Sequence, residues 1–316
     1  MSTKKVIAVL GATGAQGGGL VRAILADKSG EFTVRALTRN INSDKAKALA
    51  HLGVEVVAAN IDNYESLKKA FGGAYGVFAV TFFWDHFSAE KEIEEARLIA
   101  KAAKDTNVKH IIWSTLEDTR KFIPLSDNRM PTLQGKYKVP HFDGKGEANN
   151  IFIDMNLPVT LFNTSFYWEN FIYFGLEPRR GEDGKIYLNL PIGNAKLPGI
   201  AAEDIGKCAL GIFKRGNEFI GKEVGIAGGH LTGKSMAESM SKAFGETVIY
   251  NAVPFDVFRG LGFPGADDVG NMFQFKHDFE KEYCGSRSIE FSKSLNSELK
   301  SFDEWLKENA KRIPIK

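Results

Sequence analysis

Three regularly spaced glycines follow the first apolar run of the chain. Residues Val6 to Leu10 are apolar without alternation, which is typical of a parallel strand buried on both faces. Gly11, Gly14 and Gly17 follow at GxxGxxG spacing, and the next apolar residues recur with a helical period. A strand, a glycine-rich turn and a helix N-terminus together present free backbone N–H groups to a pyrophosphate. The sequence therefore predicts a dinucleotide site, and a tight turn without a ligand is the simpler alternative.

The residues after the second and third predicted strands bear on which dinucleotide would bind. NAD-binding proteins usually place Asp or Glu at the end of the second strand, to hold the ribose 2′-hydroxyl. Here that place carries Arg39, which can instead form two hydrogen bonds to a 2′-phosphate. We therefore expect NADP rather than NAD, unless Arg39 is only a solvated loop residue. Asp62 lies where adenine is usually contacted, and a helix N-cap is an equal alternative for it.

A histidine and a lysine four residues apart are the candidate catalytic pair. His141 and Lys145 would share one face of a predicted helix. Histidine has a reference pKa of about 6.5 and can exchange protons near neutral pH, but His141 could equally be structural, since it follows Pro140 at the helix start. Lys145 lies between Gly144 and Gly146, which would let neighbouring backbone approach closely. We expect its ammonium to hold the nicotinamide ribose, with an exposed helical lysine as the alternative.

Alternating strands and helices predict the fold that positions these residues. Strands are expected at 6–10, 32–37, 54–58, 76–80, 110–113 and 158–163, and helices at 43–52, 64–71, 88–105 and 142–155. This alternation is typical of an α/β fold with a doubly wound parallel sheet of Rossmann type. Residues 117–140 are expected to form an irregular loop. Residues 1–164 would form the cofactor-binding domain, and 165–316 a smaller α/β lobe, partly interleaved with it, that closes over the nicotinamide.

Composition excludes several other classes of protein. The 316 residues carry 41 basic and 39 acidic side chains, so charge gives no reason to expect binding to nucleic acid or an anionic membrane. Only two cysteines are present, which excludes a disulfide framework and a cysteine-rich zinc site, and no other metal site is expected. No apolar run reaches about 18 residues, and the first strand begins near Met1, so neither a membrane span nor a signal peptide is expected. We expect a cytoplasmic protein, with an additional nuclear location as the alternative.

Four stretches together resemble the NmrA-like family of atypical short-chain dehydrogenases. They are GATGAQGG from Gly11, VRALTRN from Val34, HFDGKGE from His141 and LGFPGADD from Leu261. The resemblance extends nearly from end to end and is strongest to the HSCARG branch of the family. It implies an NADP(H)-binding Rossmann protein that senses the NADPH/NADP balance and regulates partner proteins. The cofactor-binding residues that it implies are Gly11, Thr13, Gly14, Ala15, Gln16, Gly17, Arg39, Asp62, Thr81 and Lys145.

The chain departs from the wider superfamily at the proton donor. Catalytic members carry Tyr-x-x-x-Lys, whereas this chain has His141 four residues before Lys145. By the same resemblance, Ser114 or Thr115 would be a second polar group near the nicotinamide. The aromatic residues 82–84 and 166–168 would either cover the nicotinamide or belong to the core.

Two functions follow from this departure. The first is a redox-sensing regulator with little or no turnover, acting on unidentified protein partners and able to form a homodimer. The second is an NADPH-dependent reductase of a ketone, enone or quinone that relies on Lys145, as in the isoflavone-reductase-like relatives. A DNA-binding repressor is disfavoured, because the sequence has neither excess positive charge nor a recognisable recognition helix.

Overall fold

The structure is a computed structural model that describes residues 4–315, and it divides into two compact units. The first unit contains the chain up to Asp118, together with Gly144–Asn163 and Glu203–Val224. The second contains Thr119–Asp143, Thr164–Ala202 and the chain from Gly225 onward. Residues 119–143 therefore lie in the second unit and residues 203–224 in the first. The expected boundary near residue 164 would place each of these segments in the other unit.

The elements follow each other in this order. The strands are β1 (Lys5–Val9), β2 (Phe32–Thr38), β3 (Glu55–Ala58), β4 (Gly76–Ala79), β5 (His110–Thr115), β6 (Val159–Asn163), β7 (Phe166–Tyr167), β8 (Arg179–Arg180), β9 (Ile186–Leu190), β10 (Lys196–Ile200), β11 (Glu223–Gly225), β12 (Gly229–Thr232) and β13 (Val248–Ala252). The helices are α1 (Ala15–Ala26), α2 (Asp44–His51), α3 (Tyr64–Phe71), α4 (Ala89–Asp105), α5 (Pro140–Asp154), α6 (Asn170–Tyr173), α7 (Ala202–Arg215), α8 (Gly233–Phe244), α9 (Phe255–Arg259), α10 (Ala266–Asp278), α11 (Glu280–Gly285), α12 (Ile289–Leu295) and α13 (Phe302–Asn309). Short 3-10 turns occupy Phe83–Asp85, Thr119–Lys121, Gly216–Glu218 and Ala310–Arg312.

The central sheet of the molecule has seven strands in the order β11-β6-β5-β4-β1-β2-β3. The pairings β3–β2, β2–β1, β1–β4, β4–β5 and β5–β6 are all parallel. The strand order reverses between β1 and β4, and ligands of such sheets bind outside the carboxyl ends of the strands at this reversal. The predicted doubly wound α/β fold is confirmed, and the strands and helices predicted up to residue 163 end within two residues of their expected positions.

Local sequence signals explain where the helices of the first unit begin. Ser43, Asn63 and Ser88 stand at the N-caps of α2, α3 and α4, and each side-chain oxygen accepts a hydrogen bond from the backbone N–H three residues on. The apolar faces that follow pack on the sheet around the fully buried side chains of Phe71 and Trp113. The core of this unit thereby fixes the ends of β1, β2, β4 and β5, where the predicted site residues lie.

The second unit contains two three-stranded sheets, ordered β12-β10-β7 and β13-β9-β8. The loop before α5, predicted to be irregular over residues 117–140, is held in place by hydrogen bonds to one buried carboxylate. Asp143 accepts hydrogen bonds from the backbone N–H and the hydroxyl of Thr119, at 2.7 and 2.6 Å, and from the backbone N–H groups of Lys138 and Val139. Tyr137 in the same loop is fully buried. The loop is irregular in secondary structure yet packed as core.

Candidate functional site

The glycine-rich turn has the geometry of an anion-binding helix start. Gly11 follows β1 with a φ of +63°, and the Gly14 N–H donates to the Gly11 carbonyl oxygen at 2.8 Å. Gly14 is the N-cap of α1, and an N-cap without a side chain leaves the first N–H groups of the helix to an external partner. At Gly17 a Cβ would stand 2.5 Å from the Gly11 carbonyl oxygen, so only glycine fits this turn.

Arg39 follows the end of β2, as the sequence predicted, with 74% of its side chain exposed. Its Nη1 lies 3.0 Å from Oδ2 of Asp85 in the turn after β4. An exposed guanidinium in this place can turn towards a phosphate, and it would then leave Asp85. Arg39 remains the candidate contact for a 2′-phosphate.

Asp62 is not the N-cap of α3, because that position belongs to Asn63. The Asp62 carboxylate pairs instead with the ammonium of Lys91 in α4. This removes the capping alternative for Asp62. The adenine contact stays a prediction.

Lys145 lies in a buried polar cluster at the end of β4. Its Nζ donates to the Thr81 hydroxyl at 2.6 Å and lies 2.9 Å from Oε1 of Glu92 in α4. The Thr81 hydroxyl in turn donates to the same Glu92 oxygen at 2.6 Å. The ammonium also stands 5.1 Å from the centre of the Trp113 ring. Lys145 is therefore not an exposed helical lysine, since it is only 9% exposed.

The polar residues at the end of β5 are both buried and both hydrogen-bonded. The Ser114 hydroxyl donates to Oε1 of Gln16 at 2.8 Å, which joins β5 to the first turn of α1. The Thr115 hydroxyl donates to Oδ1 of Asn149 at 2.7 Å, and the Trp113 indole N–H donates to the same oxygen. The sequence analysis did not identify Asn149, which links Trp113 and Thr115, two positions apart in β5, to α5.

His141 belongs to the second unit and has a carboxylate partner there. Its Nδ1 lies 2.7 Å from Oδ1 of Asp268 in α10, and its backbone N–H donates to the other oxygen of that carboxylate. Both side chains are buried, at 8% and 4% exposure. The contact joins the HFDGKGE and LGFPGADD stretches and favours the structural alternative for His141.

The two aromatic stretches differ from each other in exposure. Phe82 is 51% exposed, whereas Phe83 is buried and packs edge-on against Trp84. In the second unit Phe166 and Trp168 are buried, with Trp168 against Phe302 at a centroid distance of 5.3 Å. Phe166 and Trp168 are core residues of the second unit, and Phe82 remains available to a ligand.

Two carboxylates of α4 are functional candidates that the sequence analysis missed. Glu92 is fully buried beside Lys145, and Glu95 is 6% exposed one turn further along α4. Burial and the neighbouring charge of Glu92 raise the pKa of the Glu95 carboxyl to about 7. Nε2 of His86 lies 3.7 Å from Oε1 of Glu95, and burial lowers the pKa of this histidine. The available sequence signal was that these glutamates occupy helix positions on the same buried face as the alanines of α4.

Among residues 4–315 no helix is long and apolar enough to cross a membrane. The same residues contain no cluster of three or more His, Cys, Asp or Glu side chains that could hold a metal ion.

The parallel sheet, the reversal at β1 and β4 and the glycine turn define the class of protein, an α/β protein of Rossmann type. The sequence profile of the NmrA-like family matches residues 3–306, and the chain belongs to that family. An NmrA-like family domain-containing protein of Dictyostelium discoideum is 31% identical over 96% of this chain and 97% of its own length. The NmrA-like family domain-containing oxidoreductase lnbB of Aspergillus flavus is 26% identical over 98% of both chains.

Solved structures with low sequence identity share the fold. The negative transcriptional regulator NmrA in complex with NADP has a TM-score of 0.79 at 23% identity, covering 97% of this chain and 95% of its own. Triphenylmethane reductase of Citrobacter sp. in complex with NADP(H) has a TM-score of 0.74 at 21% identity, covering 97% and 99%. Neither relative nor either structure is described as an HSCARG protein, and the assignment to that branch stays a prediction.

Proposed function

We propose that the chain binds NADP(H) at the carboxyl edge of the central sheet and acts as a regulator that responds to the cofactor, with little or no turnover. The residues of the first unit fit a dinucleotide, because the Gly11–Gly17 turn leaves backbone N–H groups at the start of α1 and has no room for a Cβ at Gly17. Arg39 would hold the 2′-phosphate, and Thr81 and Lys145 would hold the nicotinamide ribose. NmrA has been solved with NADP and also with NAD, so this neighbour supports a dinucleotide site, and our choice of NADP rests on Arg39.

The observation that carries the regulatory role is the position of the histidine where a catalytic tyrosine would stand. The His141 side chain is buried and paired with Asp268, so its Nδ1 is engaged within the second unit. A missing proton donor removes general acid–base help worth about 10²–10⁴ in rate. Cofactor binding can still shift a conformational equilibrium by its difference in affinity for the two states.

A reductase is the second candidate, and the relatives favour it. The lnbB relative is named an oxidoreductase, and one structural neighbour is triphenylmethane reductase. In this case NADPH would supply a hydride to a ketone, enone, quinone or related acceptor. The chain's own contribution would be Lys145, which would bind the ribose and hold a proton near the acceptor.

One experiment separates the two candidates. NADPH oxidation is followed by the nicotinamide absorbance with a panel of quinones, enones and aldehydes, for the wild type and for Lys145→Met. Tight NADPH binding without turnover, together with a change in protease sensitivity on binding, is the expected result. Turnover that disappears in Lys145→Met would replace the regulator with the reductase.

A further inference from the structure

We propose that Glu92 is a positioning residue, which holds the Lys145 ammonium at Thr81 where the nicotinamide ribose would bind. The inference rests on the proposed NADP(H) site. It concerns a residue that neither the resemblance nor the sequence motifs single out.

Backbone packing brings Glu92 to Lys145. A Cβ on Gly144 of α5 would stand 3.1 Å from Cα of Ala89 in α4, so the two helices touch at this glycine. Glu92 lies three residues after Ala89 and Lys145 directly follows Gly144, which places their side chains together inside the first unit. A larger residue at 144 would separate the two helices and with them the charged pair.

The Thr81 hydroxyl, the Lys145 ammonium and one oxygen of the Glu92 carboxylate all contact each other. Glu92 Oε1 accepts from the Thr81 hydroxyl at 2.6 Å and lies 2.9 Å from Lys145 Nζ, which itself donates to Thr81. Lys145 Nζ has a third, longer contact, to the Thr81 carbonyl oxygen at 3.4 Å. Its three donors therefore all face Thr81 and Glu92, and Glu92 supplies the charge that holds the ammonium in this position.

Stability alone is a poor explanation of this arrangement. A buried ion pair costs desolvation, and apolar residues of similar volume would often stabilise the core as well. Glu92 Oε2 is buried and has no hydrogen-bond partner within the part of the chain that the structure describes, which adds to this cost. A buried carboxylate that is only half satisfied is better explained by what its other oxygen holds in place.

The test is a double-mutant cycle in cofactor affinity. Glu92→Gln keeps the shape and the hydrogen bond to Thr81 but removes the charge. We expect affinity for NADPH and for NADH to fall by the same factor of roughly ten, because hydrogen bonds of charged groups are worth about 1.5–3 kcal/mol and each 1.4 kcal/mol is tenfold. In the Lys145→Met background the same substitution should have little further effect, since Glu92 acts through Lys145. Glu92→Asp should restore part of the affinity.

The controls separate this inference from the proposed function. Glu94→Gln lies on the exposed side of α4, its side chain being 55% exposed, and should leave cofactor affinity unchanged. Equal losses from Glu92→Gln in the wild-type and Lys145→Met backgrounds would overturn the inference and leave Glu92 a structural residue, as would unchanged affinity in Glu92→Gln. If Glu92→Gln does not fold, the same comparison is made with Glu92→Met, which also removes the charge and suits a buried position. A wild type that binds neither NADPH nor NADH would instead refute the proposed function.

Discussion

At the scale of single residues, Arg39 decides the choice of cofactor in our proposal. Its guanidinium lies beside Asp85, so a 2′-phosphate would have to replace a carboxylate as the partner of the same group. Both side chains are exposed, and exposed pairs of this kind contribute at most about 1 kcal/mol. A bidentate contact to a phosphate is stronger than that, so the exchange is favourable.

We expect Arg39→Ala to lower NADPH affinity by roughly ten- to a hundredfold, from the loss of about 1.5–3 kcal/mol, and to leave NADH affinity nearly unchanged. Isothermal calorimetry with both cofactors measures this. Asp85→Asn is the matched control, because it removes the competing charge and should not weaken NADPH binding. Equal losses for NADPH and NADH in Arg39→Ala would contradict the assignment.

At the scale of elements, the packing of α1 against the turn after β1 depends more on Gly17 than on Gly14. A Cβ would meet the Gly11 carbonyl oxygen at 2.5 Å from Gly17 but at 3.2 Å from Gly14. The first distance requires the backbone to move, whereas the second requires a shift of a few tenths of an ångström. Gly17 is therefore the position where α1 comes closest to the preceding turn.

Gly17→Ala should lower the free energy of unfolding by about 1–3 kcal/mol through overpacking. It should also lower the affinity for NADPH and for NADH together. Gly285→Ala at the end of α11 is the matched control. A Cβ there meets no heavy atom within 4 Å among the described residues, so the helix preference of alanine should make this variant as stable as the wild type or slightly more stable. Urea denaturation and calorimetry test both. A Gly17→Ala variant with native stability and affinity would show that the turn is not rigid.

At the scale of the whole molecule, the family match covers segments of both units, and the similar proteins include a regulator and a reductase. The same fold therefore supports either function, and side chains must decide between them.

The stability of the whole chain also depends on pH through groups buried in the first unit. Glu95 is the clearest of these, because burial, Glu92 and Asp62 raise its pKa to about 7, against the opposing charges of Lys91 and Lys145.

Glu95→Gln should change the pH dependence of unfolding. The carboxyl has a pKa near 4.3 in an unfolded chain, so the folded protein retains a proton that the unfolded one loses between about pH 4.5 and 7. The stability from this group is complete below pH 4.5 and is lost as pH rises through 7. We expect the free energy of unfolding of Glu95→Gln, relative to that of the wild type, to rise by on the order of 2 kcal/mol from pH 5 to pH 8. Urea denaturation at the two pH values measures this.

Titrating groups distant from Glu95 cancel in this comparison, because both proteins contain them in the same surroundings, whereas His86, 3.7 Å from Glu95, belongs to the measured effect. His110, whose pKa burial lowers to about 4, is one of the groups that cancel. An exposed change on the same helix, Glu94→Gln, should show no such trend. A stability difference between Glu95→Gln and wild type that is the same at pH 5 and pH 8 would mean that Glu95 does not titrate in this range.

The sequence by itself determined the elements up to β6 and their order. The apolar run of β1, the glycine turn and the capping residues Ser43 and Ser88 act within a few positions, so periodicity and capping chemistry identify them without knowledge of the fold. Arg39 could be placed for the same reason, since it directly follows a predicted strand. The NmrA-like motifs added the family.

Only the tertiary structure decided which buried polar groups meet. Thr81 and Lys145 are 64 positions apart, and His141 and Asp268 are 127 apart, so neither contact follows from any local pattern. Helix packing at Gly144 brings Glu92 to Lys145, and the Asp268 carboxylate engages the histidine that the sequence offered as a proton donor. Buried polar groups need partners wherever the packing of the core places them, and this packing is a property of the whole fold rather than of any segment.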